Sequence, residues 1–384
     1  MKTLRLFLFI FFIQCQTLPE DEFYALIAPR NETTSLLQTD SVLTIDVDSV
    51  TSSIINRPVG FFRDKGGHDY VHYSDFRNNL VFLDLRSGTI KKTYFAREGP
   101  KATGAFYYSY YLHNLDSIFI RQHMTDLVYL VDWKGEIKSQ FQGIDEGSSV
   151  MKFFNTNKGS YILSGITPVG NWYEASGSSS PFLQHFDFSH GTALKNLVFP
   201  PIYDQTRQKN FEIYGTNAHS LAEAMPYVFS FESSPYLYTY SPDSSENMFI
   251  EVKSKYVEHP MEVDAPDMDE DEYDKFLIRS SSYLSVVPDP FRLLYFRVVK
   301  LGVNPEDISS ISMEIRFPSK YSIMILDSDF NIIGETRLAL KTFLPENSFV
   351  TEAGLFISEN HPENSDVGED RIQYRLFKID YNNE

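Results

Sequence analysis

The feature that most constrains this chain is a repeated unit: an alternating apolar run, a polar turn opened by Asp, then a second run. It reads Leu80-Val81-Phe82-Leu83-Asp84-Leu85-Arg86-Ser87-Gly88, then Leu127-Val128-Tyr129-Leu130-Val131-Asp132-Trp133-Lys134-Gly135. It returns as Phe182-Leu183-Gln184-His185-Phe186-Asp187 and, more weakly, as Tyr236-Leu237-Tyr238-Thr239-Tyr240-Ser241-Pro242-Asp243. Ser322-Ile323-Met324-Ile325-Leu326-Asp327 and Tyr374-Arg375-Leu376-Phe377-Lys378-Ile379-Asp380 complete the set. Alternation specifies a strand, and Asp, Ser, Gly and Asn specify a turn because they bond their own backbone or tolerate positive φ. Each copy is therefore a β-hairpin. Anchors at 84, 132, 187, 240, 327 and 380 are separated by 48, 55, 53, 87 and 53 residues. Four of these gaps suit one four-stranded propeller blade, and the long one implies an insertion. An inner strand precedes each of the last five anchors, from Ser117-Ile118-Phe119-Ile120 to Gly354-Leu355-Phe356-Ile357-Ser358.

The expected fold is all-β: a six-bladed β-propeller of four-stranded antiparallel blades. Ser41 to Asp48 is an additional β segment that can pair with Tyr374 to Asp380 and close the ring, which removes exposed sheet edges. Counting that segment as a blade gives seven, but residues 23–60 are too few for the roughly 40–50 residues of a full blade. A β-sandwich explains the strands but not the regular gaps. The 15% aromatic content, with 32 Phe and 24 Tyr, fits half-buried pleated surfaces.

The N-terminus is a targeting segment. Lys2 and Arg5 precede the apolar run Leu6 to Ile13, which is far short of the ~20 residues a spanning helix needs. The sole cysteine, Cys15, follows at once. A lone cysteine there is the acylation site of a bacterial lipoprotein. Gln14 and Phe12 depart from the small residue and Leu of the general lipobox, and the other reading is an ordinary secretory peptide. The chain divides into a signal peptide over 1–15, a tether over 16–40 and one propeller domain over 41–384, with an acidic insertion near 256–275. No intrachain disulfide is possible. The net charge of −18 argues against nucleic acid, whose affinity comes from Lys and Arg displacing counterions.

Cys15 after its apolar run, Arg97-Glu98-Gly99-Pro100 after the first hairpin, and Asn114-Leu115-Asp116-Ser117-Ile118-Phe119-Ile120 together resemble an uncharacterised Bacteroidota lipoprotein family, a domain of unknown function with a TolB-like six-bladed propeller. The resemblance covers nearly the whole mature chain. It implies fold and address, not activity, because propellers host many unrelated functions.

Candidate sites are sparse. His68 and His72 are four apart. On a helix they would share a zinc ion, whereas on a strand they lie roughly 13 Å apart and read as rim histidines. Asp267, Asp269 and Asp271 have the alternate spacing of a calcium loop, but Glu272 replaces the required Gly and Ile278 the bidentate Glu. The expected state there is a solvated acidic loop, with a loose calcium site or a docking patch as alternatives. No other cofactor is implied. No nucleophile elbow, phosphate-binding glycine loop or dinucleotide fingerprint is present. The leading expectation is a non-enzymatic, monomeric envelope lipoprotein, a propeller scaffold that binds a protein, peptide or glycan partner and is held at the outer membrane by the lipid on Cys15. The alternative is a propeller hydrolase or lyase with His68, His113 and His123 around its channel.

Overall fold

A computed structural model describes residues 26–47, 59–75, 79–93, 108–122, 127–141, 148–155, 161–168, 181–187, 192–198, 227–232, 234–240, 248–259 and 268–381. Its regular structure is overwhelmingly β. Strands β3 (Gly60–Arg63), β4 (Asp69–Ser74), β5 (Leu80–Asp84) and β6 (Ile90–Thr93) form one antiparallel meander. A second contains β7 (Tyr108–Asn114), β8 (Ser117–Gln122), β9 (Val128–Val131) and β10 (Ile137–Phe141). A third contains β11 (Ser148–Asn155), β12 (Tyr161–Pro168), β13 (Pro181–Asp187) and β14 (Thr192–Val198). The fourth is β15 (Tyr227–Ser230), β16 (Tyr236–Tyr240) and β17 (Met248–Glu251), edged by the short N-terminal β1 (Leu26–Ile27).

The fifth sheet has eight strands. Its first half is β18 (Ser282–Asp289), β19 (Leu294–Lys300), β20 (Tyr321–Leu326) and β21 (Ile332–Arg337). Its second half is β22 (Leu344–Thr351), β23 (Gly354–Ser358) and β24 (Arg371–Tyr381), followed in the sheet by β2 (Arg30–Asp46). The halves join through β2, which pairs antiparallel with β24 and parallel with β21. The end strands β18 and β22 also lie against each other, so the sheet curls almost closed.

Three of the six anchors, Asp84, Asp132 and Asp327, make the turns as expected; Asp380 instead lies within β24, and the turns after 187 and 240 lie outside the described residues. The Asp84 Oδ1 accepts the Arg86 and Ser87 amides at 2.9 and 3.1 Å. The Asp132 Oδ1 accepts those of Lys134 and Glu136 at 2.9 and 3.0 Å. The Asp327 Oδ1 accepts those of Asp329 and Asn331, both at 2.9 Å. In each case the carboxylate satisfies amides that the hairpin tip leaves unpaired. Gly135 takes the left-handed position of its turn at φ 80°, and Phe330 takes the matching position at φ 65°. A phenylalanine tolerates that strain of about 1 kcal/mol because its ring is buried, stacked 5.2 Å from Tyr295.

The sheets whose side chains are described, β3–β6, β7–β10, β15–β17 and the eight-stranded sheet, pack on one another through apolar faces. One core joins the β3–β6 sheet to the β7–β10 sheet through Tyr70, Phe82, Ile118, Ile120 and Val131. Another joins β22–β24 and β2 to β3–β6 through Ile45, Phe349, Ile372, Tyr374, Val71 and Leu83. A third lies between the halves of the eight-stranded sheet, and a fourth between β15–β17 and β18–β21. β7 lies against β11. Sheets covered on both faces need strands apolar on both sides, and all six residues of β20 are buried.

The N-terminal region departs from the tether expected over residues 16–40. Its residues 26–40 run in strands, and the segment edges three meanders in turn: β1 along β17, the start of β2 along β21, and the rest of β2 along β24. Thr34 and Leu36 are buried in this strand, and the Leu36 amide donates to the Thr336 hydroxyl at 2.8 Å. An exposed edge of unpaired amides is costly to leave open, and this segment covers three of them. The expected pairing with Tyr374 to Asp380 is present, with Leu43 opposite Tyr374 and Ser35 opposite Asp380.

The acidic insertion also differs from expectation. A helix, α1, spans Glu270–Arg279 where a loop was anticipated. Asp269 caps it by accepting the Glu272 amide at 2.9 Å, and three acids fill its first turn. Carboxylates there face the positive end of the helix dipole, while Arg279 sits at the negative end. The extra length is divided: α1 lies between β17 and β18, and α2 (Ile311–Arg316) lies between β19 and β20. The two helices touch.

Candidate functional site

The residues singled out from sequence are scattered. Cys15, His123 and Asp267 lie outside the described residues. His68 sits in the turn before β4, half-exposed, with its Nδ1 3.9 Å from the Asp84 carboxylate. His72 lies inside β4, its Nδ1 2.9 Å from the Tyr110 hydroxyl. Burial drives His72 down to about 4, so it is a neutral imidazole at ordinary pH. A Cβ on Gly60 would fall 2.3 Å from that ring, so any other residue there would have to displace the imidazole. His113 is half-buried at the end of β7, beside Tyr111. Asp269 and Asp271 belong to the start of α1. Among the described residues no group of three or more His, Cys, Asp or Glu is placed to hold a metal ion.

A different set of groups converges beneath the two helices. Ser282, Lys300 and Tyr321 are direct cross-strand partners in β18, β19 and β20, so their side chains leave the sheet on one face. That face is turned towards β22–β24, because Phe296, Val298 and Ile323 on it pack with Val350, Leu355 and Ile357. Glu346 enters from β22. Glu314 comes from α2, where its Oε1 accepts the amide and hydroxyl of Ser319 at 2.8 and 3.0 Å. Glu232 comes from the turn after β15, whose carbonyl accepts the Tyr283 amide at 2.8 Å. The Lys300 ammonium donates to the Leu277 carbonyl in the last turn of α1.

The electrostatics are those of an enclosed site. Burial pushes Lys300 below the ordinary lysine range, and the carboxylates of Glu232, Glu314 and Glu346 oppose it. Burial pushes Glu346 up to about 7, with Lys300 pulling the other way. Burial raises Tyr321 well above its usual value, and Glu346 and Glu314 add to that. The hydroxyls of Ser282 and Tyr321 are buried and have no hydrogen-bond partner among the described residues. A cluster of perturbed groups with unspent hydroxyls, covered by inserted helices, can bind a polar ligand or exchange a proton with one.

A second buried cation is structural. Arg297 is fully buried, and its guanidinium donates to the carbonyls of Pro235, Val252 and Ser234 at 2.7, 2.8 and 3.0 Å. It also bonds the Ser230 hydroxyl and lies 4.0 Å over the Tyr283 ring. It clamps the β15–β17 sheet to β18–β21. Neither cation was identified from sequence. Their common signal is a charge inside an otherwise apolar strand, Leu294-Tyr295-Phe296-Arg297-Val298-Val299-Lys300, where a cation must find partners or lose its proton.

The family model described as "Domain of unknown function (DUF4221)" matches residues 33–337. The chain belongs to the DUF4221 family. A crystal structure of a member of that family from Bacteroides vulgatus ATCC 8482 is similar to it, with a TM-score of 0.75 and 19% identity, covering 92% of this chain and 100% of the other. A Bacteroides fragilis NCTC 9343 protein named as exported also matches, with a TM-score of 0.54 and 12% identity, covering 92% of this chain and 99% of the other. These likenesses concern the fold. No curated protein matches the chain. No helix among the described residues is long and apolar enough to cross a membrane.

Proposed function

We propose that this DUF4221 member is exported, is anchored by a lipid on Cys15, and acts as a TolB-like six-bladed β-propeller. Its body binds an envelope protein, peptide or glycan at the Glu346, Lys300 and Tyr321 cluster beside α1 and α2. The single observation that carries the binding reading is the convergence of Glu346, Lys300 and Tyr321 beneath the inserted helices, with hydroxyls there unspent.

The propeller reading rests on the packing of successive meanders and on β2, which supplies the strand that the sixth anchor, Asp380, lacks after it. The same observation favours six blades over seven, since residues 26–46 serve as edge strand and not as a blade. Export and anchoring rest on the N-terminal segment and on the name of the Bacteroides fragilis neighbour.

The second reading, a hydrolase or lyase, is favoured by one specific observation: a carboxyl near 7 is suited to general acid–base work at neutral pH. Thermal-shift titration of the soluble body with size-fractionated envelope peptides and glycans separates the two. A saturable shift with the ligand recovered unchanged supports binding; time-dependent ligand consumption, followed by mass spectrometry, supports the enzyme. For the anchor, Cys15→Ala should move the protein from the membrane fraction to the soluble one. Continued sedimentation with membranes contradicts lipidation.

A further inference from the structure

We infer that the outer edge formed by β1 and β17 is the face that rests on the lipid bilayer, with Leu26, Ile27 and Met248 entering the headgroup layer; this rests on the lipid anchor at Cys15 proposed above.

The apolar groups lead to that surface. Leu26, Ile27 and Met248 are 59%, 75% and 39% exposed. Single exposed apolar residues are ordinary on a protein surface, but these three are neighbours. β1 is the edge strand of its sheet and pairs parallel with β17, Leu26 opposite Ile250 and Ile27 opposite Glu251. Alternation puts Met248 on the same face as Ile250, so Leu26 and Met248 are diagonal neighbours there, and Ile27 leaves the other face. The edge is therefore a ridge with apolar side chains on both flanks. A flat protein partner covers one flank of such a ridge, whereas a bilayer interface surrounds both. The ridge is also fixed to the body: Ala28 is buried in a core with Ile250 and Val252, and its amide donates to the Glu251 carbonyl at 3.0 Å.

Reach and charge point the same way. Ten residues, 16–25, separate Cys15 from Leu26. Fully extended, ten residues span about 35 Å. A body of this size is roughly 50 Å across, so the side opposite β1 lies beyond the reach of a bilayer that holds Cys15. Segments 26–30 and 248–255 carry Arg30, Lys253 and Lys255 against Glu251, three cations to one acid and a balance of +2, in a chain of net charge −18. Glu32 pairs with Arg30 and Lys255, and the Arg30 guanidinium also donates to the Lys253 carbonyl. The Lys253 side chain is exposed and has no partner among the described residues. An ammonium beside an apolar ridge can meet a phospholipid phosphate while the ridge enters the acyl boundary.

The test uses the full acylated chain in vesicles of phosphatidylethanolamine and phosphatidylglycerol, with and without nitroxide-labelled lipid. Cys15 is the only cysteine and its sulfur carries the lipid, so Ile27→Cys, Met248→Cys and Arg86→Cys each present a single thiol to an environment-sensitive dye. Arg86, exposed in the turn between β5 and β6, is the control. Dyes at 27 and 248 should shift to the blue in vesicles and lose about half of their emission or more to nitroxide lipid, and the dye at 86 should do neither. If the chains float with the vesicles but the dyes at 27 and 248 stay as aqueous as the one at 86, the inference is overturned and the anchor stands. Quenching at 86 equal to that at 27 overturns it too, because another face then meets the lipid. A blue shift without nitroxide quenching overturns it in favour of a second copy of the chain covering the ridge. If the chains do not float at all, the lipid anchor falls and the inference falls with it.

Discussion

Two enclosed ionisable groups, Glu346 and His72, set opposite pH limits on this molecule. An unfolded glutamate titrates near 4.5, and Glu346 in the folded chain titrates near 7. Between those values the folded state holds the extra proton, so stability falls as pH rises from about 4.5 to 7 and stays lowered above that. At roughly 1.4 kcal/mol per unit the ceiling is about 3 kcal/mol. His72 works the other way. It titrates near 6.5 unfolded and near 4 folded, so the unfolded state takes the proton first and stability falls as pH drops from 6.5 to 4. Chemical denaturation between pH 4 and 8 separates the two. Glu346→Gln should be more stable than wild type at pH 8 by about 1–3 kcal/mol, with the gain vanishing near pH 4.5. His72→Gln should flatten the acid limb only. A Glu346→Gln chain less stable than wild type at pH 8 would mean that the ionised carboxylate is favourable there, contrary to the enclosure described.

At the scale of elements, hairpins were legible and their attachments were not. Asp84, Asp132 and Asp327 disclosed their turns because an Asx turn is a local bargain between a side chain and amides a few residues on. Helix α1 was missed although its cap and charge pattern are equally local. The run from Glu262 to Asp274 reads as solvated acid until Asp269 is recognised as the capping residue. Arg297, Lys300 and Glu346 were illegible for a different reason: what makes them matter lies 14 to 68 residues away on other elements, and no periodicity reports that. The clamp by Arg297 gives a prediction at this scale. Arg297→Met should destabilise the body by about 3–5 kcal/mol, read from denaturant midpoints, because it strands several buried carbonyls at once. The same substitution at Arg63, whose side chain is 41% exposed and pairs with Asp69 and Glu352 on the surface, should leave the denaturant midpoint nearly unchanged. A small effect at Arg297 would show that the β15–β17 sheet does not depend on the clamp.

At the scale of the whole molecule, one arrangement links the repeat, the core and the site: the last meander takes its outer strand from the start of the chain. The anchors implied a ring and the β segment at Ser41 implied its closure, yet the reach of the strand back to Arg30 was hidden, because Arg30 to Asp40 alternates only weakly in hydropathy. Its pairing partners, not its composition, keep it in place. Closure also matters to the Glu346 cluster, since Leu36 of β2 and Tyr321 belong to one core between the two halves of the eight-stranded sheet. The most direct test is cross-linking of Ser35→Cys/Asp380→Cys in a soluble body that starts after Cys15, using a short bismaleimide. Those residues face each other across β2 and β24. The account predicts an intramolecular cross-link in the monomer, with a raised unfolding temperature. Cross-links only between copies, or none, would contradict closure of the fold by its own N-terminal strand.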